Sequence, residues 1–236
     1  MVGLGRYRAL THRSSPHPTA GAVAGLLVGL LLAGGLAARD VASRDDDDQA
    51  SEAVAVRPAD RAAFLAAWQR SRTGTWVVRL AFTRRSTAGG RLDDEMRIAQ
   101  RPPDRLIVGP LGAVAGRLEG RAVNCGIGAT GEFRCGRDEP VGPYADEVRR
   151  DVSVLRSYLV GASPLYALRR DPSCFVLTLR LRFPSPPYGD RARFCFDAET
   201  GAPTQREVLR PEGTDVQRAV EIRTEVVPSD FELPVP

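Results

Sequence analysis

Hydrophobic and polar residues alternate most cleanly over residues 75–84. There Trp76, Val78, Leu80 and Phe82 fall on one side and Val77, Arg79, Ala81 and Thr83 on the other. A period of two predicts a half-buried strand. Gly89-Gly90 supplies a turn, and residues 91–101 continue the apolar side through Met96 and Ile98 until Pro102-Pro103 stops the strand. Residues 105–108 predict a short third strand, and residues 109–120, rich in Gly and Ala, a loop. Residues 121–125 and 132–135 predict a hairpin around Gly126, Gly128 and Gly131. Further on, residues 174–183 alternate Phe175, Leu177, Leu179, Leu181 and Phe183 against Arg180 and Arg182. Strands over 192–197, 205–210 and 215–227 follow, the last with Val216, Arg218, Val220, Ile222, Thr224 and Val226 at alternate positions.

Two stretches carry the helical period instead. Phe64, Ala67, Trp68 and Ser71 share one face of a helix that Asp60 would cap and Gly74 would end. Val148, Val152, Leu155 and Leu159 share a face of a second helix over residues 144–159, with Gly161 after it. Helix, strands, helix, strands, joined by short connections, predict an α+β fold. We expect a strongly curved antiparallel sheet, a half-barrel, wrapped around helices.

The N-terminal 58 residues have a different pattern. Residues 20–38 hold no charge and no strongly polar side chain, and at 1.5 Å per residue make about 28 Å of helix, close to the hydrocarbon thickness of a bilayer. Arg6, Arg8 and Arg13 precede this run, while Asp40 and Asp45–Asp48 follow it, so the charge bias puts the N-terminus in the cytoplasm. The division expected is a cytoplasmic tail over 1–19, a transmembrane signal anchor over 20–38, an acidic linker over 39–58 and an extracytoplasmic domain over 59–236. The alternative is a cleaved signal peptide, with small residues Gly35 and Ala37 before the cut and secretion of the remainder.

Charge and composition then narrow the chemistry. The net charge of +4 comes from residues 1–39, because residues 40–236 hold 29 arginines against 29 acids. The domain therefore lacks the concentrated positive charge of a nucleic-acid binder. There is no Lys, and both histidines, His12 and His17, lie in the tail. Ser or Cys nucleophiles without a His or Lys base, Schiff-base chemistry and His-ligated zinc are thereby excluded from the domain. Carboxylate chemistry remains, but Asp93, Asp94 and Glu95 are strand neighbours that point to opposite faces, so no enzyme is expected. Gly126, Gly128 and Gly131 spell G-x-G-x-x-G without the following helix that dinucleotide binding needs. No cofactor or metal is expected.

Cys125, Cys135, Cys174 and Cys195 all fall in the exported part, where an oxidising compartment would pair them. Three connectivities are open. Cys125 with Cys135 and Cys174 with Cys195 would each bridge neighbouring strands.

Several short stretches resemble the LolA/LppX-type carriers of bacterial lipoproteins and lipids, and the N-terminal domain of RseB-like sensors. Gly74-Thr75-Trp76-Val77-Val78 follows the first helix. Arg101-Pro102-Pro103-Asp104-Arg105 is similar to that family's R-P-x-x-R stretch, Asp197 to Pro203 to its D-x-x-T-G-x-P turn, and Phe231 to Pro234 to its terminal F-x-x-P. The Arg-rich, Lys-free composition suits an actinobacterial member. The resemblance implies a hydrophobic cavity between sheet and helices that accepts lipid or lipoprotein acyl chains. Trp76, Val78, Leu80, Phe82, Leu177, Leu179, Phe194, Val220 and Ile222 would line it. The alternative function, which the anchor and the Arg-bearing cytoplasmic tail suit, is an envelope sensor or regulatory domain that binds another membrane protein without lipid transport.

Overall fold

Helix α1 (Pro58–Thr73) opens the fold, in a computed structural model that describes residues 56–127 and 131–233. The expected tail, anchor and most of the linker lie outside these residues. Among the described residues no helix is long and apolar enough to cross a membrane. Pro58 begins α1 with no side-chain cap, so Asp60 sits in the first turn, where its charge meets the positive end of the helix dipole.

Six strands follow: β1 (Trp76–Ser86), β2 (Arg91–Arg101), β3 (Asp104–Val108), β4 (Val114–Leu118), β5 (Arg121–Ile127) and β6 (Phe133–Pro140). Helix α2 (Tyr144–Ser157) then leads to β7 (Tyr166–Asp171), β8 (Cys174–Leu179), β9 (Arg191–Phe196), β10 (Pro203–Arg210) and β11 (Gly213–Arg223), and a 3-10 turn, Pro228–Phe231, follows. Among the described residues, these eleven strands form one antiparallel sheet in the order β6-β5-β4-β3-β2-β1-β11-β10-β9-β8-β7. The chain meanders outward from β1 to β6, crosses on α2 to the opposite edge, and meanders back until β11 joins β1. The sheet is open: β6 and β7 are its edges, and α2 connects them.

Register assigns the faces. Trp76, Gln100, Arg105, Arg117 and Ala122 stand opposite one another across β1–β5 and form an inner row facing α1. The next row, Val77, Ala99, Leu106, Gly116 and Val123, faces the other way. That outer face is apolar too. Leu106, Val114, Leu118, Val123 and Cys125 form a cluster there, covered by Phe133, Phe231 and Leu233.

The structure departs from the sequence expectations at four places. Residues 109–120 are a 3-10 turn followed by strand β4 rather than a loop. Gly116 is required there, since a Cβ would lie 2.2 Å from the Arg105 carbonyl oxygen of β3. Strand β7 lies outside the expected set, because its Arg169, Arg170 and Asp171 break the apolar alternation of an edge strand. Strand β8 ends at Leu179, which leaves Leu181 and Phe183 exposed in the following loop. In β11, Arg79 opposes Glu221 but Leu80 opposes Ala219, so Val220 is a bulge residue. The bulge shifts the alternation by one: Val216 and Arg218 oppose Thr83 and Ala81 on the outer face, whereas Ile222 opposes Val78 on the inner.

Both cysteine pairs form across directly opposed strand residues, Cys125–Cys135 between β5 and β6 and Cys174–Cys195 between β8 and β9.

Candidate functional site

The inner side of the sheet has an apolar half and a charged half. In the apolar half, α1 docks on β7–β10 through aromatic side chains: Phe64 lies 5.0 Å from Phe175 and 5.8 Å from Phe194, and Trp68 lies 5.5 Å from Phe194, between ring centroids. Leu155 and Leu159, from α2 and the residues after it, join the same cluster. Tyr166 is held by its hydroxyl, which donates to the Gly189 carbonyl and accepts from the Tyr188 amide, while burial pushes its phenol up to about 12.

Most of the nine expected lining residues are packed in two separate clusters. Leu177 and Phe194 belong to the α1 cluster, with Leu179 at its margin. Trp76, Val78 and Leu80 form a second cluster with Ile98 and Ala202, and Ile222 packs against it. Phe82 is buried beside Arg84, whose guanidinium lies 5.7 Å from the ring centre. Val220 departs from the expectation: the bulge leaves it 57% exposed.

Depressions are formed elsewhere. One, of about 270 Å³, lies on the outer face between Val77, Arg79, Arg97, Glu221 and Arg223. Another, of about 340 Å³, runs between the helices, with Leu65, Ala62, Ala66 and Val152 as an apolar floor and Arg61 and Arg156 beside it. None of the nine residues borders either depression.

The charged half has no counterpart in the sequence expectations. Arg105 and Arg117 stand on the inner row of β3 and β4, beneath the start of α2. Arg72 of α1 lies 2.6 Å from Glu147 and 2.9 Å from Asp151, both on α2, and Arg117 lies 3.5 Å from Glu147. Arg117 also donates to the Gly142 carbonyl at 2.7 Å. The Tyr144 ring has the guanidinium groups of Arg72 and Arg117 each 5.7 Å from its centre, and its hydroxyl donates to the Arg72 carbonyl. Gln100 completes the seam by donating to the carbonyls of Ser71 and Gly74 at the end of α1.

Burial, aided by the nearby Arg72 charge, pushes the Arg105 guanidinium down to about 10. Burial also raises Asp151 above the ordinary carboxylate range, against the pull of Arg72. Arg72 ties α1 to α2 through Glu147 and Asp151, Arg117 ties α2 to β4 through Glu147, and with Arg105 beside them three guanidinium groups face two carboxylates at this end of the interior. Part of this is legible in the sequence. Glu147 and Asp151 are four apart and so share a helix face, but bringing Arg105 beside Arg117 requires the β3–β4 register. Among the described residues no group of His, Cys, Asp and Glu is placed to hold a metal ion.

No protein-family model matches the chain, and no curated protein does. Solved structures are similar at low identity. A MucB crystal structure is 18% identical with a TM-score of 0.39, over 75% of this chain and 63% of that one. The Pseudomonas aeruginosa MucA/MucB complex is 17% identical with a TM-score of 0.40, over 75% and 61%. A LolA-superfamily protein from Nitrosomonas europaea is 10% identical with a TM-score of 0.32, over 72% and 96%. The chain thus spans about three fifths of the MucB chains it is similar to.

Proposed function

We propose that this chain is a membrane-held extracytoplasmic binding protein that engages another envelope protein through its surface, as a sensor or regulatory domain. The observation that carries this reading is the burial of the inward-facing apolar residues. They pack against α1, α2 and one another, and the two depressions described above lie at the surface. The reading includes a sheet curled as a half-barrel around α1 and α2. The paired cysteines support an oxidising compartment, and residues 20–38 supply the anchor. The stretches that resemble LolA/LppX-type and RseB-like proteins fall at joints of the fold. The Asp197–Pro203 turn places Ala202 in the Trp76 cluster, and Phe231 covers the outer face of β3–β5.

The test is cross-linking in native membranes followed by recovery of the full chain. A stoichiometric protein partner is expected. Recovery of the chain alone, at several cross-linker lengths, would count against the reading.

One observation favours acyl-chain binding as a second reading. The groove between α1 and α2 combines an apolar floor with Arg61 and Arg156, which suits a single chain with an anionic head. On that reading Leu65→Asp abolishes uptake of a fluorescent fatty acid; uptake unchanged by the substitution would refute it.

A further inference from the structure

Four large apolar side chains, Val160, Leu181, Phe183 and Leu209, are between 43% and 51% exposed. Three of them belong to two loops that follow α2 and β8; one backbone hydrogen bond joins these loops, and two more fix the ends of the second loop to each other and to β10. The Leu179 amide donates to Asp190, the Arg180 amide to Leu165, and the Asp190 amide to Leu209. Residues 160–165 carry no charge, and residues 180–189 carry Arg180 and Arg182 with no acid. Both arginines are exposed, alternating with Leu181 and Phe183. Pro184, Pro186 and Pro187 restrict the backbone that presents them.

The domain also begins at this end. Pro58 and Arg61 at the start of α1 share a groove with Val152 and Arg156 near the end of α2, and α2 runs directly into the first loop. Val56 packs on the same cluster as Tyr158 and Leu165. Residues 39–55 span at most about 60 Å at full extension, so on the membrane-held reading an anchor at 20–38 keeps the start of α1 within that distance of the bilayer.

We propose that the loops at residues 160–165 and 180–189 form a tip that contacts an anionic phospholipid surface, with Arg180 and Arg182 on the headgroups and Leu181 and Phe183 at the acyl boundary. This rests on the membrane-held reading. Alternating arginines and large apolar side chains match the two layers of a bilayer interface. The chain's own Asp45–Asp48 run is the competing partner for the arginines, and the test below separates the two.

The test uses full-length Phe183→Trp protein in vesicles of phosphatidylcholine with or without phosphatidylglycerol, with brominated acyl chains as quencher. Wild type gives the background from Trp68 and Trp76. Quenching above that background is expected in the anionic vesicles, with affinity falling about fivefold for each of Arg180→Gln and Arg182→Gln. Quenching no greater than wild type, or indifferent to lipid charge and to both arginines, would overturn the proposal. So would quenching that emerges only after Asp45–Asp48 are changed to Asn, since the arginines would then belong to the linker. Carbonate washing of native membranes reports separately on the anchor. A chain released by it is added to preformed vesicles, where the same quenching decides the question of the tip.

Discussion

Gly189 shows how a single position constrains the fold. Its φ is +67°, and a Cβ there would lie 2.2 Å from the Leu209 carbonyl oxygen, which is backbone and has little room to move. Gly89 has a φ of +89° but nothing within 4 Å of the added carbon. Gly189→Ala is therefore expected to cost about 2 kcal/mol or more and Gly89→Ala about 1 kcal/mol, since only the first adds a backbone clash to the left-handed strain. Urea midpoints of the two variants check this, and equal losses would contradict it. Asp197 makes a second constraint. Its Oδ1 accepts from the Thr200 amide at 2.8 Å and the Thr200 hydroxyl at 2.7 Å, and these bonds hold its carboxyl below the ordinary range. A depressed carboxylate stabilises the fold above its unfolded pKa of about 3.9, and that contribution disappears as pH falls through the lower folded value. Wild type is expected to lose stability relative to Asp197→Asn as pH falls below about 4, measured by denaturation at stepped pH. A gap that stays constant would contradict the assignment.

At the scale of elements, α2 is held by charge as well as by apolar packing. Arg72 touches both Glu147 and Asp151 and is itself mostly buried, so Arg72→Ala leaves two carboxylates under α2 with one cation fewer. The expected loss is about 3 kcal/mol, read from denaturant unfolding, and a loss below about 1 kcal/mol would show that the seam is solvated. Much of the element plan is legible in the sequence. The alternation from Trp76 to Phe82 and the helical stripe Val148, Val152, Leu155 identify β1 and α2 directly. Three features depend on partners distant in sequence. Gly116 looks like a loop residue until β3 lies beside it. Val220 continues the β11 alternation unless the bulge opposite Arg79 and Leu80 is known. Arg105 and Arg117 read as solvated strand charges until α2 brings Glu147 over them.

At the scale of the whole molecule, the described residues form an open sheet of eleven strands whose two edges are connected by a helix, with disulfides across neighbouring strands and apolar clusters on both faces. The candidate site is less legible than the fold. Periodicity identifies which side chains point inward, but whether they enclose a space depends on how far the helices fill it. Here α1 brings Phe64 and Trp68 onto β8 and β9, where Leu177 and Phe194 are buried in the same cluster. Whether that interior holds lipid is measured most directly by native mass spectrometry of the full chain extracted gently from its own membranes, followed by titration with a fluorescent fatty acid. The account predicts an oxidised chain with no acyl lipid retained inside it. One tightly held lipid per chain, displaced by the fatty acid and lost when Leu177 or Phe194 is enlarged, would contradict it.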